Sequence, residues 1–223
     1  MFEVTTAWKS AFPGAYVGVL AMRGVSNPSQ HPELEKRKKE LEEHLRAQFS
    51  GQDRIAMLSL PVLQAYNNYY RRFKKSYHVQ LQVESIAWKG KSIPSVSALV
   101  EAMFMAEMKN MLLTAGHDLD VLQLPLTLDV SKGTESYTLL RGDEQVLKPG
   151  DMMISDRQGV ISSVIYGPDR RTQITANTRS AIFTVYAPAG IGEQAVEEHL
   201  RDIQDFILLF APQAEQEQRR VYG

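Results

Sequence analysis

The sequence predicts an α+β domain in which helices come first and antiparallel hairpins follow. Three observations predict it. Apolar residues recur at helical spacing through residues 33–75 and again through 95–115. From residue 121 to 188 short apolar runs alternate with turn signals. A last amphipathic stretch occupies 193–209. The chain of 223 residues contains no internal repeat and no low-complexity linker. The helix-rich and strand-rich halves could form two domains, but the early strand at 15–25 needs partners from later in the chain. Residues 1–223 are therefore read as one domain.

Residues 15–25 (AYVGVLAMRGV) are small and β-branched and read as a buried strand, broken by Asn27, Pro28 and Ser29. Pro32 sits in the first turn of a helix over 33–49 whose narrow stripe is Leu34, Leu41, Leu45 and Phe49. The run Lys36, Arg37, Lys38, Lys39 is followed by Glu40, Glu42 and Glu43, which reads as a solvated face. Pro61 opens a second helix, with Leu63, Tyr66, Tyr70 and Phe73 on one face. Arg71, Arg72, Lys74 and Lys75 crowd its end, where the helix dipole favours cations. A third helix is expected over 95–115, stopped by Gly116 and apolar on more than one face, hence central. Strands are expected at 122–130, 137–141, 145–147, 152–155, 160–166 and 181–187, with Pro149-Gly150 as a type II turn. The final helix turns Ala195, Val196, Leu200, Ile203, Phe206 and Ile207 inward, and the polar tail from Pro212 is expected to fray.

Composition excludes several classes. With no cysteine there is no disulfide, thiolate catalysis or cysteine metal site. His31, His44, His78, His117 and His199 share no ligand spacing, so no metal and no cofactor are expected. There is no phosphate loop, HExxH or Gly-x-Ser-x-Gly element. Arg141-Gly142-Asp143 spells an adhesion tripeptide but reads as a hairpin turn. The net charge of −1 means that any RNA contact must come from a local patch. No apolar stretch approaches a membrane span, and no leader is read at the start, so a cytoplasmic protein is expected.

Several segments, taken in order, carry a family resemblance. Ile93-Pro94-Ser95-Val96-Ser97-Ala98-Leu99-Val100-Glu101 leads through the long helix to Gly116-His117-Asp118-Leu119-Asp120. Then come Tyr137-Thr138-Leu139-Leu140-Arg141-Gly142-Asp143-Glu144, Leu147-Lys148-Pro149-Gly150-Asp151-Met152-Met153-Ile154-Ser155-Asp156, a strand at 160–167, Thr178 and a last strand at 182–187. In order and spacing these resemble the B3/B4 domain of the phenylalanyl-tRNA synthetase beta chain. Tyr70-Arg71-Arg72-Phe73-Lys74-Lys75 is similar to the Tyr-x-x-Phe-Lys element of free-standing members. The match spans about 12–209, leaving a polar tail at 212–223. The resemblance implies a layered fold, a β-sandwich of antiparallel hairpins flanked by helices, and a pocket for the acylated end of tRNA.

Carried over residue by residue, the resemblance implies a pocket histidine, and so a catalytic candidate, at His117. It implies a pocket glycine at Gly167, with Val164 where the family has a second glycine. Thr184 stands where the family has the carboxylate that reads a tyrosine hydroxyl, and a threonine offers a hydrogen bond without charge. Asp118, Asp120 and Tyr186 are further pocket candidates. Arg71, Arg72, Lys74 and Lys75, interleaved with aromatics, and Arg170 and Arg171 are candidates for the RNA backbone. Two functions follow as expectations. One is hydrolysis in trans of mischarged aminoacyl-tRNA, with water activated by His117 or by the substrate's own hydroxyl. The other is a non-catalytic module binding tRNA or an amino-acid-like small molecule. A fold kept for an unrelated protein partner is a third possibility, for which no residue speaks.

Overall fold

The computed structural model describes residues 2–223. In chain order the elements are β1 (Phe2–Val4), α1 (Thr6–Ala11), β2 (Tyr16–Arg23), α2 (Pro32–Gln48), α3 (Arg54–Leu58), α4 (Pro61–Arg71), α5 (His78–Lys89) and α6 (Ala98–Asn110). They continue with β3 (Leu113–Asp118), β4 (Leu126–Val130), β5 (Ser136–Thr138), β6 (Glu144–Val146), β7 (Met152–Asp156), β8 (Gly159–Ser163), β9 (Gly167–Pro168), β10 (Ser180–Ala187), α7 (Glu193–Leu208) and β11 (Glu215–Tyr222). One sheet runs β11-β2-β10-β3 and the other β1-β4-β7-β8-β9, while β5 and β6 form a separate hairpin.

Alternation along the strands builds the layers. On β10, Ile182, Thr184 and Tyr186 point one way, and the Tyr186 hydroxyl lies 2.5 Å from Ser162 Oγ of β8. That face therefore meets the second sheet and makes the sandwich. The opposite face is covered by helices. A Cβ on Gly18 of β2 would lie 2.5 Å from Val196 of α7, and one on Gly116 of β3 would lie 3.2 Å from Met103 Sδ of α6. Both glycines let a helix approach the sheet closely.

α4 ties the two sheets together through its tyrosines. Tyr66 donates to the Tyr186 carbonyl at 2.5 Å and accepts from Leu113 N at 2.8 Å. Tyr69 donates to Asp151 Oδ1 at 2.6 Å and accepts from Met152 N at 2.7 Å. Tyr70 donates to the Val164 carbonyl at 2.9 Å. All three are buried, so each hydroxyl must find such a partner.

Several expectations need correction. The helix expected over 95–115 ends at Asn110, because Met111 takes the left-handed conformation (φ +57°) and the chain turns into β3. Side chains satisfy that turn: Tyr77 donates to the Met111 carbonyl at 3.0 Å and Glu107 accepts from Thr114 N at 2.8 Å. Gly116 and His117 are strand residues rather than a helix stop. Val96 is exposed instead of lining the helix interior, and Ala195 of α7 is exposed too. Lys38, read as solvated, is buried between Glu101 at 2.8 Å and Glu35 at 2.9 Å. The polar tail is not frayed: β11 pairs with β2, and Tyr222 stacks on Phe2 at 4.7 Å between centroids. The elements α1, α3, α5 and β1 were not anticipated from the sequence.

Candidate functional site

His117 lies on β3 opposite Ile182 of β10, and Thr184 lies opposite Ala115. The two are diagonal neighbours on the inner sandwich face, with Tyr186 two residues further along β10. All three are buried. Thr184 Oγ1 donates to the Ala115 carbonyl at 3.4 Å. The geometry therefore brings His117, Thr184 and Tyr186 together, but between the sheets rather than at an open surface.

The imidazole is held by a short chain. His117 Nδ1 is 2.7 Å from Thr172 Oγ1, and Thr172 in turn donates to Asp169 Oδ1. Because the threonine proton is committed to the carboxylate, Thr172 accepts from Nδ1–H. Nε2 then carries a lone pair, and it is buried without a partner. Burial, reinforced by the nearby Arg171, pushes the imidazole pKa down to about 3, so the ring is neutral at physiological pH. Asp169 also lines a surface cleft of about 200 Å³ with Tyr137, Val160 and Arg171.

The other pocket candidates lie apart from this group or offer only main chain. Asp118, one residue along β3, points to the opposite face, where its Oδ2 accepts from Thr178 at 2.6 Å. Asp120 is exposed and 3.6 Å from Arg23. Val164 is buried and contributes its carbonyl to Tyr70. Gly167 pairs with Ser163 and has φ +79°, with no atom within 4 Å of an added Cβ. Its glycine is thus explained by backbone conformation and not by close approach. Its carbonyl accepts from Tyr137 at 2.7 Å.

The basic candidates divide in two. Arg171 is occupied: both terminal nitrogens fork onto Asp156 at 2.9 Å, and Nε is 3.6 Å from Asp169. That pair draws the Asp156 carboxyl below its ordinary pKa despite partial burial. Arg170 is exposed, with Nη1 close to the Gly142 turn. The cations at the end of α4 form a surface cluster. Arg72 lies over Phe12, Tyr69 and Phe73, at 5.7, 5.4 and 5.5 Å from the ring centroids. Lys75 lies 5.9 Å from the Tyr166 centroid, which joins the cluster to the Gly167 turn. Lys148, which the sequence did not single out, belongs here too, donating to the Phe73 carbonyl at 2.9 Å. Its signal was the Lys-Pro-Gly turn, which brings a lysine back to the helix end. Among the described residues, Arg71, Arg72, Lys74, Lys75 and Lys148 pair with no carboxylate.

Among the described residues no His, Asp and Glu side chains cluster as a metal site, and no helix is long and apolar enough to cross a membrane.

No curated protein matches the chain. Among solved structures it is similar to an N-terminal fragment of the phenylalanyl-tRNA synthetase beta-subunit from Pyrococcus horikoshii, with a TM-score of 0.51 and 12% identity. The alignment covers 99% of this chain and 50% of that one, so the chain spans about half the length of its structural neighbour. At that identity the likeness is one of fold, and it agrees with the α+β sandwich. The sequence profile of the B3/4 domain matches residues 65–204, from the tyrosines of α4 into α7. That stretch takes in His117, Thr184 and all five residues of the basic cluster, and it makes the chain a member of the B3/4 domain family.

Proposed function

We propose that this chain binds the acylated end of a tRNA and holds it without hydrolysing it. The observation that carries the reading is the cluster of Arg71, Arg72, Lys74, Lys75 and Lys148, five cations with no carboxylate partner, set beside the Tyr166–Gly167 turn. Unpaired cations interleaved with aromatic rings suit a phosphodiester backbone with a base or acyl group lying against it. The family profile and the synthetase fragment of similar fold make tRNA the RNA to test first. Against hydrolysis stands the burial of His117 between the sheets, where neither water nor an ester can reach Nε2 in this conformation.

Lys74→Glu/Lys75→Glu should abolish tRNA binding measured by fluorescence anisotropy. For the unaltered protein, log Kd should vary with log salt with a slope of roughly 3, from about four phosphate contacts. Salt-independent binding, or binding unaffected by the double variant, would refute the assignment.

A second reading, ester hydrolysis of mischarged aminoacyl-tRNA, is favoured by one observation, the Asp169–Thr172–His117 chain that leaves a lone pair on Nε2. Deacylation of any tRNA in a mischarged panel, lost in His117→Asn, would replace the binding-only reading.

A further inference from the structure

We infer that the cleft among α3, α4 and α5 receives one nucleotide of a single-stranded RNA, and that it favours adenine. The inference rests on the RNA-binding reading but concerns a different set of residues. The cleft measures about 460 Å³, within the range of small-ligand sites. The outer face of α4 supplies Gln64, Asn67, Asn68 and Arg71, at the i, i+3, i+4, i+7 spacing of one helical stripe. An exposed helix face usually mixes acids with bases, whereas this one holds three carboxamides, an arginine and no acid. Glu84, beside the cleft, is already paired with Arg54 at 2.9 Å and accepts from Gln80 Nε2 at 2.6 Å. Gln80 is buried and accepts from Asn67 at 2.8 Å, so the cleft floor is fixed by hydrogen bonds. Leu58 and Leu81 give it aliphatic walls.

The chemistry of that lining selects the ligand. A carboxamide offers a donor and an acceptor side by side, which matches the N6 amino group and N7 of adenine, an edge on which guanine shows two acceptors and a pyrimidine has no such pair. Gln64 and Asn68 are exposed and make no tertiary hydrogen bond, so both are available. The aliphatic walls suit a base face, and Arg71 belongs both to this cleft and to the cation cluster at the end of α4. A strand whose phosphates lie on Arg72, Lys74 and Lys75 would pass Arg71 and drop its next base into the cleft. An acidic peptide would also find Arg71, but it would leave the carboxamide stripe without matching edges.

The test uses the full chain with fluorescein-labelled eight-residue oligoriboadenylate and oligoribouridylate. The adenylate should bind about tenfold more tightly, and Gln64→Ala/Asn68→Ala should remove that preference. Both substitutions are at exposed positions, so the variant should fold. Equal binding of the two oligomers, or a preference that survives in the double variant, overturns this inference while leaving RNA binding by the cation cluster intact. If no oligomer and no tRNA binds, both readings fall together. If an oligoglutamate saturates the cleft while RNA does not bind, the ligand is a peptide and the inference is overturned.

Discussion

Glu107 is the clearest place to test whether the packing described here governs stability. It lies in α6, fully enclosed, with Thr114 N donating to it at 2.8 Å and no cation paired with it. Burial, only partly offset by that hydrogen bond, raises its pKa from an ordinary 4.5 to about 8. The folded state therefore binds this proton more tightly than the unfolded chain does. The resulting stability is fully present below about pH 4.5 and is lost as pH rises toward 8. At 1.36 kcal/mol per pH unit the whole loss is at most about 5 kcal/mol, of which about 3 kcal/mol has gone by pH 7. Glu107→Gln presents the same acceptor to Thr114 and a donor in place of the carboxylic proton, and it cannot ionise. Urea unfolding of both proteins at pH 5, 7 and 9 should give a stability gap that widens with pH in favour of Gln, by a few kcal/mol at pH 9. A gap that stays constant across the three pH values would show that the carboxyl does not carry a raised pKa, and the account of the α6–β3 turn would be wrong.

Other perturbations follow from the same packing. His199 is buried, 2.7 Å from Thr114 Oγ1, and burial lowers its pKa to about 3. Its folded pKa lies below the unfolded value, so the stability it confers is present above about pH 6.5 and is lost as pH falls toward 3. In His199→Gln the acid-side fall in urea midpoint should be shallower than in the unaltered protein, whatever the cost at neutral pH; an unchanged slope would refute this. Gly18→Ala places a methyl 2.5 Å from Val196 and should destabilise by about 1–3 kcal/mol in chemical denaturation, by wedging α7 off the sheet. A neutral result there would mean that α7 is not seated as described.

The elements legible in the sequence were those with a period or a stop signal. α2 and α4 open on prolines, α7 has an apolar face, and the hairpins are marked by Gly, Pro and Asp turns. The α6–β3 junction was illegible for a physical reason. Apolar residues lie on every side of α6, of which only Lys109 is exposed, and every residue of β3 is buried, so neither helical nor strand periodicity shows. What ends the helix at Met111 is the set of partners supplied from Tyr66, Tyr77 and Glu107, and two of these lie more than thirty residues away. β11 was hidden in the opposite way. Its residues are polar and half exposed, and only the open edge of β2 makes them a strand.

The same distinction separates the parts of the candidate site. The resemblance expects His117 and Thr184 in one pocket but not how they meet; the strand register makes them diagonal neighbours on the inner face of β3 and β10. The resemblance says nothing of access, because access depends on what fills the space between the sheets. Here Tyr186, hydrogen-bonded to the distant Ser162, and the local Asp169–Thr172 turn occupy the inner face, and only the strand pairing brings them against His117. The cation cluster was legible from charge alone, yet its meaning was not, since charges at a helix end usually pair with nearby acids. At this surface the fold brings up Lys148 instead of a carboxylate, and an additional cation sharpens the electrostatic case for a polyanion. The binding proposal and the hydrolysis alternative are thus separable by experiment: on the binding reading, changing the cations should abolish tRNA binding while changing His117 should leave it intact.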